Sequence, residues 1–351
     1  RKFIHRCKSF AKKYEQYMLM PEIIRWERRV IGAMTYKNTS EKLIDKNVQE
    51  MRGVLDVISN MNDYYGLNEK VFLFAVKNPI IRRKKDLKEI DTLMRNPLLL
   101  DESKAVSFQA KKNFYYAHTL YFQALGDIHT TNLYTRKVLE LTESHAVQII
   151  NNLSSYIDDL YNFLLIFYRL NKYDGIFIST LHKLKAIPDK YVQGRDINIR
   201  IKIFEFYYAI MLEMYLHTAS FDKGAGLVKE IEAGYREFKG GINKSIKAAL
   251  DYQIAHHYFG AGNYSKSLHW LNRLLQDSEH AIREDIQCFT HIMNLIVHFE
   301  LNNQDYLESV VKSSYRFLYK RNRLYKVETS ILNFIRKKVP HIITREEQIK
   351  A

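Results

Sequence analysis

Residues 255–268 read AHHYFGAGNYSKSL, a stretch that predicts the end of one helix, a tight turn and the start of a second helix. The apolar run stops at Gly262-Asn263, a pair that favours turns, and an amphipathic pattern resumes at Tyr264. Glycine readily adopts the left-handed conformation that ends many helices. The stretch therefore predicts two helices joined by a short turn.

The same order of features recurs at regular intervals along the chain. Five predicted long helices carry an aromatic residue near the C-terminal end, at successive intervals of 45, 48, 43 and 41 residues. These residues are Phe122, Phe167, Tyr215, Tyr258 and Phe299. A short turn and a second helix, such as 265–276 or 307–319, follow each one. This period indicates a helical solenoid, in which stacked pairs bury the apolar faces that a single pair leaves exposed.

The composition favours helices over strands. Gly and Pro number 13 and 5 among 351 residues, well below the usual shares of about 7% and 5%. Sheet proteins need many turns, so a chain this poor in turn residues is predicted to be all-α. The prolines fall where we expect helices to begin or end: Pro21, Pro79, Pro97, Pro188 and Pro340.

The first hundred residues predict helices without a repeat. The helix over 40–61 has the clearest pattern, because its apolar residues recur at spacings of three and four, and Ser40 suits the N-cap position. The predicted helices of this segment are 2–20, 22–35, 40–61, 67–77 and 82–95.

The stretch at 255–268 resembles the middle of a tetratricopeptide repeat. That motif has a small residue, an aromatic three positions on, a Gly-polar-aromatic turn, and a small residue three positions after the turn aromatic. The matching residues are Ala255, Tyr258, Gly262, Tyr264 and Ser267. Tyr173 and Phe221 fit the turn aromatic of two earlier repeats, and Pro188 lies where the family often closes its second helix.

The resemblance covers about residues 103–321 and implies a right-handed α-solenoid of TPR-like helix pairs. The family period is 34 residues, so the longer intervals here predict longer helices or connections. We expect three parts. Residues 1–102 form an irregular helical segment packed onto the solenoid, 103–321 form about five TPR-like helix pairs, and 322–351 form a capping helix and a basic tail.

In the family, certain positions of each first helix line a concave groove. Transferred through the turn aromatic, these positions are Asn113, Tyr116, Gln123, Asp158, Tyr161, Tyr168, Arg169, Glu213, His217, Tyr252 and His256. The set mixes aromatic, polar and oppositely charged side chains, which suits an extended protein or peptide segment better than a polyanion. The alternative is a solvated helix face whose tyrosines pack on their neighbours.

The net charge of +15 is concentrated at the two ends of the chain. Residues 1–30 carry nine Lys/Arg against three acids, and residues 312–351 carry eleven against three. A smaller cluster, seven against three, lies at 77–95. Basic ends fit nucleic-acid binding if they form one face, and they fit solvated caps equally well. Nucleic acid is therefore a possible partner, less favoured than protein.

No catalytic or metal-binding motif is recognisable in the sequence. The pair His256-His257 cannot easily face one ion, because adjacent side chains on a helix point about 100° apart. His291 and His298 are predicted to be structural or surface residues, and Asp158-Asp159 a helix surface. We expect no enzymatic activity, no cofactor, no bound metal and no small-molecule substrate.

The longest apolar stretch, 156–170, is interrupted by charges, so we expect no membrane insertion. Cys7 and Cys288 predict reduced thiols and a cytoplasmic location. The chain begins at Arg1, and we expect a fragment.

The favoured function is a non-catalytic scaffold that binds a protein or peptide segment in its concave groove. The alternative is the sensor or interaction domain of a nucleic-acid-associated regulator, with a DNA-binding part upstream of Arg1.

Overall fold

The computed structural model describes residues 2–37, 39–276, 284–321 and 326–338. Helices and short connections make up these ranges, and no β-strand occurs within them, which confirms the all-α prediction. None of the helices in the described ranges is long and apolar enough to cross a bilayer. The chain divides into two compact units, residues 1–172 and 173–351.

The first unit is built around α3, α6, α7 and α9. Helix α6 packs against both α3 and α7, and α7 packs against α9. Tyr64, Val71, Phe114 and Val138 belong to the core that joins α3, α6 and α7. The helices are α1 (Lys2–Lys13), α2 (Met20–Ala33), α3 (Glu41–Lys77), α4 (Lys84–Met94), α5 (Pro97–Leu100), α6 (Phe108–Leu125), α7 (Ile128–Glu143), α8 (Ala146–Asn151) and α9 (Leu153–Arg169).

Helix α3 corrects one prediction, because the expected helices 40–61 and 67–77 are a single helix of 37 residues. The predicted break contains Gly66, and glycine inside a helix costs only about 1 kcal/mol relative to alanine. Tyr64, beside it, is fully buried, and its hydroxyl donates to the carbonyl oxygen of Leu98 at 2.8 Å. Leu67 and Val71 are also buried. These contacts favour a continuous helix over the local preference for a turn.

The second unit is centred on α14, which packs against α11, α12 and α15. Leu250, Ile254, Trp270 and Leu271 lie in its core. The helices are α10 (Gly175–Val192), α11 (Ile197–His217), α12 (Phe221–Gly226), α13 (Val228–Glu237), α14 (Lys244–Gly260), α15 (Tyr264–Gln276), α16 (Glu284–Glu300), α17 (Gln304–Lys320) and α18 (Lys326–Lys338).

Pro188 corrects a second prediction, because it lies inside α10 and does not end it. Proline at this position removes one backbone hydrogen bond. The neighbouring Leu184 and Ile187 are buried, so packing holds the helix through the proline for another turn. The helix ends at Val192. The next residue, Gln193, is left-handed with φ 50°, and the amide of Gly194 donates to the carbonyl oxygen of Pro188 at 2.9 Å.

The α14–α15 hairpin is the pair that residues 255–268 predict. Ala255 and Ser267 are fully buried, and Ser267 Oγ donates to the carbonyl oxygen of Ala255 at 2.8 Å. Small side chains therefore stand where the two helices approach each other. Gly262 has a φ of +72°, as expected for the turn.

The predicted boundaries at residues 102 and 322 differ from the division at 172/173. Helix α3 of the N-terminal segment packs against α6 of the predicted repeats. Helices α9 and α10, expected as one pair, belong to different units. Residues 322–325 and 339–351, which include Pro340 and most of the predicted basic tail, lie outside the described residues.

At the contact between α12 and α14, two glycines each face an aromatic or imidazole ring at close range. A Cβ built on Gly224 of α12 would lie 2.1 Å from Cε1 of His257, and one on Gly260 of α14 would lie 2.3 Å from Phe221. His257 is fully buried, with Nε2 2.9 Å from the carbonyl oxygen of Leu212. The absence of a side chain at Gly224 and Gly260 allows α12 and α14 to pack closely.

Burial of His257 gives the fold a dependence on pH. Desolvation, with a smaller contribution from His256, lowers the pKa of His257. A histidine with a lowered pKa stabilises the fold above its unfolded pKa, about 6.5, and loses that contribution as the pH falls. Burial also lowers the pKa values of His118, His256 and His298.

We therefore expect the free energy of unfolding to fall between pH 7.5 and pH 5. Each neutral buried histidine adds up to about 1.4 kcal/mol per pH unit to the slope of the free energy of unfolding against pH. Urea unfolding of His257→Gln, which keeps an N–H for Leu212, should give a shallower slope than the unmodified chain. Exposed His5 supplies the control as His5→Gln. Equal slopes for the unmodified chain and His257→Gln would show that His257 contributes nothing to the pH dependence.

Candidate functional site

A cavity of about 420 Å³ lies between α3, α6, α7 and α9 of the first unit. We call it the α3–α9 cavity. Its buried part is formed by Thr119, Thr135, Val138, Asp159 and Ile166. The remaining lining residues are Asn68, Phe72, Tyr116, Leu120, Gln123, Asn162, Leu165 and Arg169.

Helical periodicity explains why these residues face one space. Positions three, four and seven apart share a helix face. On α6 this relation joins Tyr116, Leu120 and Gln123. On α9 it joins Asp159, Asn162, Ile166 and Arg169, and on α3 it joins Asn68 and Phe72. The packing of α6 against α3 and α7, and of α7 against α9, then places these three faces around one space.

A buried ion pair lies beneath the cavity. Lys112 Nζ is 2.6 Å from Asp159 Oδ2, with side-chain exposures of 5% and 0%. Thr142 Oγ1 donates to the same oxygen at 2.8 Å, and the Tyr116 hydroxyl donates to Asp159 Oδ1. Lys112 also donates to Ser155 Oγ at 2.9 Å. The carboxylate therefore joins α6, α7 and α9 through three donors.

The pKa values reflect this burial. Desolvation raises the pKa of Asp159, while Lys112, Tyr116 and Thr142 act in the opposite direction. Desolvation and the charge of Asp159 raise the pKa of Tyr116 well above its ordinary value. The phenol therefore remains protonated near neutral pH and acts as a donor to the carboxylate.

The expectation that Asp158-Asp159 is a helix surface is wrong for Asp159, which is 1% exposed. Asp158 is half-buried and does not line the cavity. The sequence offered one signal. Tyr156, Phe163 and Ile166 lie one or two turns from Asp159 on α9 and are apolar. A charged side chain that is buried beside such residues usually has an oppositely charged partner.

The rim of the cavity carries polar groups without intramolecular partners. Asn68 Oδ1 is buried and accepts no hydrogen bond. Across the described ranges, the side chains of Gln123, Asn162 and Arg169 form no hydrogen bond or ion pair with another residue. Phe72 stands beside them and is 55% exposed. The rim thus offers acceptors, donors, one positive charge and an aromatic ring.

Three predicted groove residues of the first unit meet at this cavity: Tyr116, Gln123 and Arg169. Tyr161 and Tyr168 lie on α9 and are half-buried, but they do not line the cavity. Asn113 is 4% exposed, so it lies within the helix packing and not on an open face.

The other four predicted groove residues belong to the second unit. Glu213 Oε2 accepts a hydrogen bond from Gln253 Nε2 at 2.5 Å, and His217 Nδ1 is 2.9 Å from the hydroxyl of Tyr173. Tyr252 and His256 are in edge-to-face contact, 5.3 Å between ring centroids. The side chains of Glu213, His217, Tyr252 and His256 therefore have contacts inside that unit.

The repeat pattern does not indicate Asn68 and Phe72 as site residues. Both lie on α3, which the repeat pattern left outside the groove. The available signal was an apolar residue, Phe72, that falls off the buried face formed by Leu67, Val71 and Phe74.

The described parts of the chain contain no cluster of three or more His, Cys, Asp or Glu side chains placed to hold a metal ion. His291 Nδ1 is 3.3 Å from Ser314 Oγ, and His298 Nδ1 is 3.1 Å from Asn303 Nδ2. Comparison of the whole chain with protein-family models, curated proteins and solved structures gave no match.

Proposed function

We propose that this chain is a non-catalytic binding protein that holds a segment of another protein in the α3–α9 cavity. The observation that carries the proposal is the rim, where Asn68 Oδ1 is buried without a donor and Gln123, Asn162 and Arg169 bond no other described residue. A buried polar atom without a partner is rare in native proteins and calls for a ligand group or water.

The size and walls of the cavity suit a protein segment. A volume of about 420 Å³ accommodates a few side chains. Phe72, Leu120 and Leu165 provide apolar contact at the entrance, and the amides beside them can bond a peptide backbone. This combination of an apolar pocket and a polar rim is typical of protein-binding surfaces.

The polar groups inside the cavity are already bonded within the fold, which favours binding over chemistry. The hydroxyls of Thr119 and Thr135 donate to backbone carbonyls one turn earlier, at 3.0 and 2.8 Å. Asp159 accepts from Lys112, Tyr116 and Thr142. A general base needs a free lone pair directed at the substrate, and these groups have their positions fixed by other contacts.

The test uses peptides selected by display against the full chain. Selected peptides, labelled with a fluorophore, should bind with an affinity that falls about five- to thirtyfold in Phe72→Ala, as expected for an anchoring contact. Phe10→Ala is the matched control, because Phe10 is 51% exposed, lies in the same unit and is outside the cavity.

The competing function is nucleic-acid binding through the basic ends. A labelled DNA duplex should then bind tightly, with an affinity that falls steeply as salt rises. The proposed function is refuted if no peptide discriminates Phe72→Ala from Phe10→Ala. Duplex binding of this kind that is unchanged in Phe72→Ala would then favour the competing function.

A further inference from the structure

We infer that the segment bound in the α3–α9 cavity carries an acidic side chain next to its apolar anchor, and that Arg169 binds this carboxylate. The inference rests on the proposed function and specifies its partner. It follows from the charges that line the cavity, taken together with the apolar surface around Phe72.

The cavity lining carries one positive charge that no ion pair within the fold neutralises. Arg169 and Asp159 are the ionised groups among the lining residues. Asp159 is 1% exposed and is paired with Lys112 at 2.6 Å, so its charge is neutralised within the fold. Arg169 is exposed and forms no ion pair with any carboxylate of the described ranges. The charge presented to a bound segment is therefore positive.

The acid next to Asn68 on α3 does not change the positive charge that the cavity presents. Glu69 follows Asn68 in the sequence, but it does not line the cavity and it bonds the hydroxyl of Tyr65. Arginine presents five N–H donors in a planar arrangement that matches a carboxylate. A carboxylate from the partner is the group that satisfies both the charge and the donors of Arg169.

The apolar contact lies beside this charge. Phe72, Val76 and Tyr65 fall within about 40° of each other in helical projection, and each is more than half exposed. Phe72 belongs to the cavity lining, so this strip extends the cavity along α3. A segment with a bulky apolar side chain in the cavity and Asp or Glu nearby fits both features. Lysine or arginine at that place would repel Arg169.

The experiment uses reciprocal charge reversal on peptides whose binding depends on Phe72. Changing the acidic residue of such a peptide to its amide should weaken binding to the unmodified chain roughly three- to tenfold. The same change should have no effect on binding to Arg169→Gln. Arg169→Glu should prefer the peptide whose acidic residue is replaced by Lys. Raising the salt concentration should reduce each effect, because the pair lies at the rim.

Arg52→Glu supplies the matched control, since Arg52 is exposed on α3 and outside the cavity. Circular dichroism and thermal unfolding establish that each variant is folded. Phe72-dependent peptides that bind Arg169→Glu and the unmodified chain equally well would overturn this inference and leave the proposed function standing. If no peptide depends on Phe72, both the function and the inference are refuted.

Discussion

Replacing Lys112 with Met is expected to lower the free energy of unfolding by about 3–5 kcal/mol, because it leaves the buried carboxylate of Asp159 without its counter-charge. Lys112 and Asp159 are 2.6 Å apart and almost fully shielded from water. Urea unfolding followed by circular dichroism measures the loss. Lys111→Met is the control. Lys111 precedes Lys112 in α6, but its side chain is half-buried and does not bond Asp159.

Two further measurements separate loss of the charge pair from loss of packing. Adding Asp159→Leu to Lys112→Met should restore much of the stability, because replacing both members of a buried pair with apolar groups is often tolerated. Acidification should also reduce the deficit of Lys112→Met. Desolvation raises the pKa of Asp159 in the folded chain. An acid with a raised pKa destabilises the fold progressively as the pH rises from its unfolded pKa, about 3.9, to the raised value, so the deficit disappears at low pH. A loss below about 1 kcal/mol would contradict the structure at this site.

Gly224→Ala is expected to cost about 2 kcal/mol or more, because the added methyl group would overlap the imidazole of His257. The built Cβ lies 2.1 Å from Cε1 and 2.2 Å from Nδ1, and the ring is fully buried. Thermal and urea unfolding provide the measurement.

Gly226→Ala is the matched control in the same helix, where the added Cβ meets nothing within 4 Å. That change should be neutral or slightly stabilising, since alanine favours helix over glycine. Equal stability of the two variants would show that α12 and α14 are further apart than the structure has them.

The spacing of apolar residues and the position of turn residues predicted most helices and the turns between them. The spacing of apolar residues and the turn at Gly262 gave the α14–α15 hairpin, whose small residues Ala255 and Ser267 are buried. Prediction from local sequence failed where tertiary contacts override the preference of a single residue for a helix break. Gly66 and Pro188 both suggest breaks, and the buried side chains on either side, such as Tyr64 and Leu184, keep each helix continuous.

The candidate site was harder to predict because its members come from separate segments. The repeat register, which places residues on one face of their own helix, predicts Tyr116, Gln123 and Arg169 as groove residues, and these three line the cavity. Asn68 and Phe72 lie on a helix outside the repeat, and no spacing relates them to the others. The partnerless Asn68 Oδ1 is a property of three-dimensional packing, which sequence periodicity does not contain.

Helix α3 connects the α3–α9 cavity with the contact that α3 makes with α2. At about 1.5 Å per residue its 37 residues extend about 55 Å. Val54, in the first half of the helix, packs with Met20 and Ile24 of α2, and Phe72, near its C-terminal end, lines the cavity. Because helix formation is cooperative, a segment that binds Phe72 also reduces local opening elsewhere along α3. The α1–α2 hairpin would thereby report occupancy of the cavity as slower exchange of its amide hydrogens, without any change of shape.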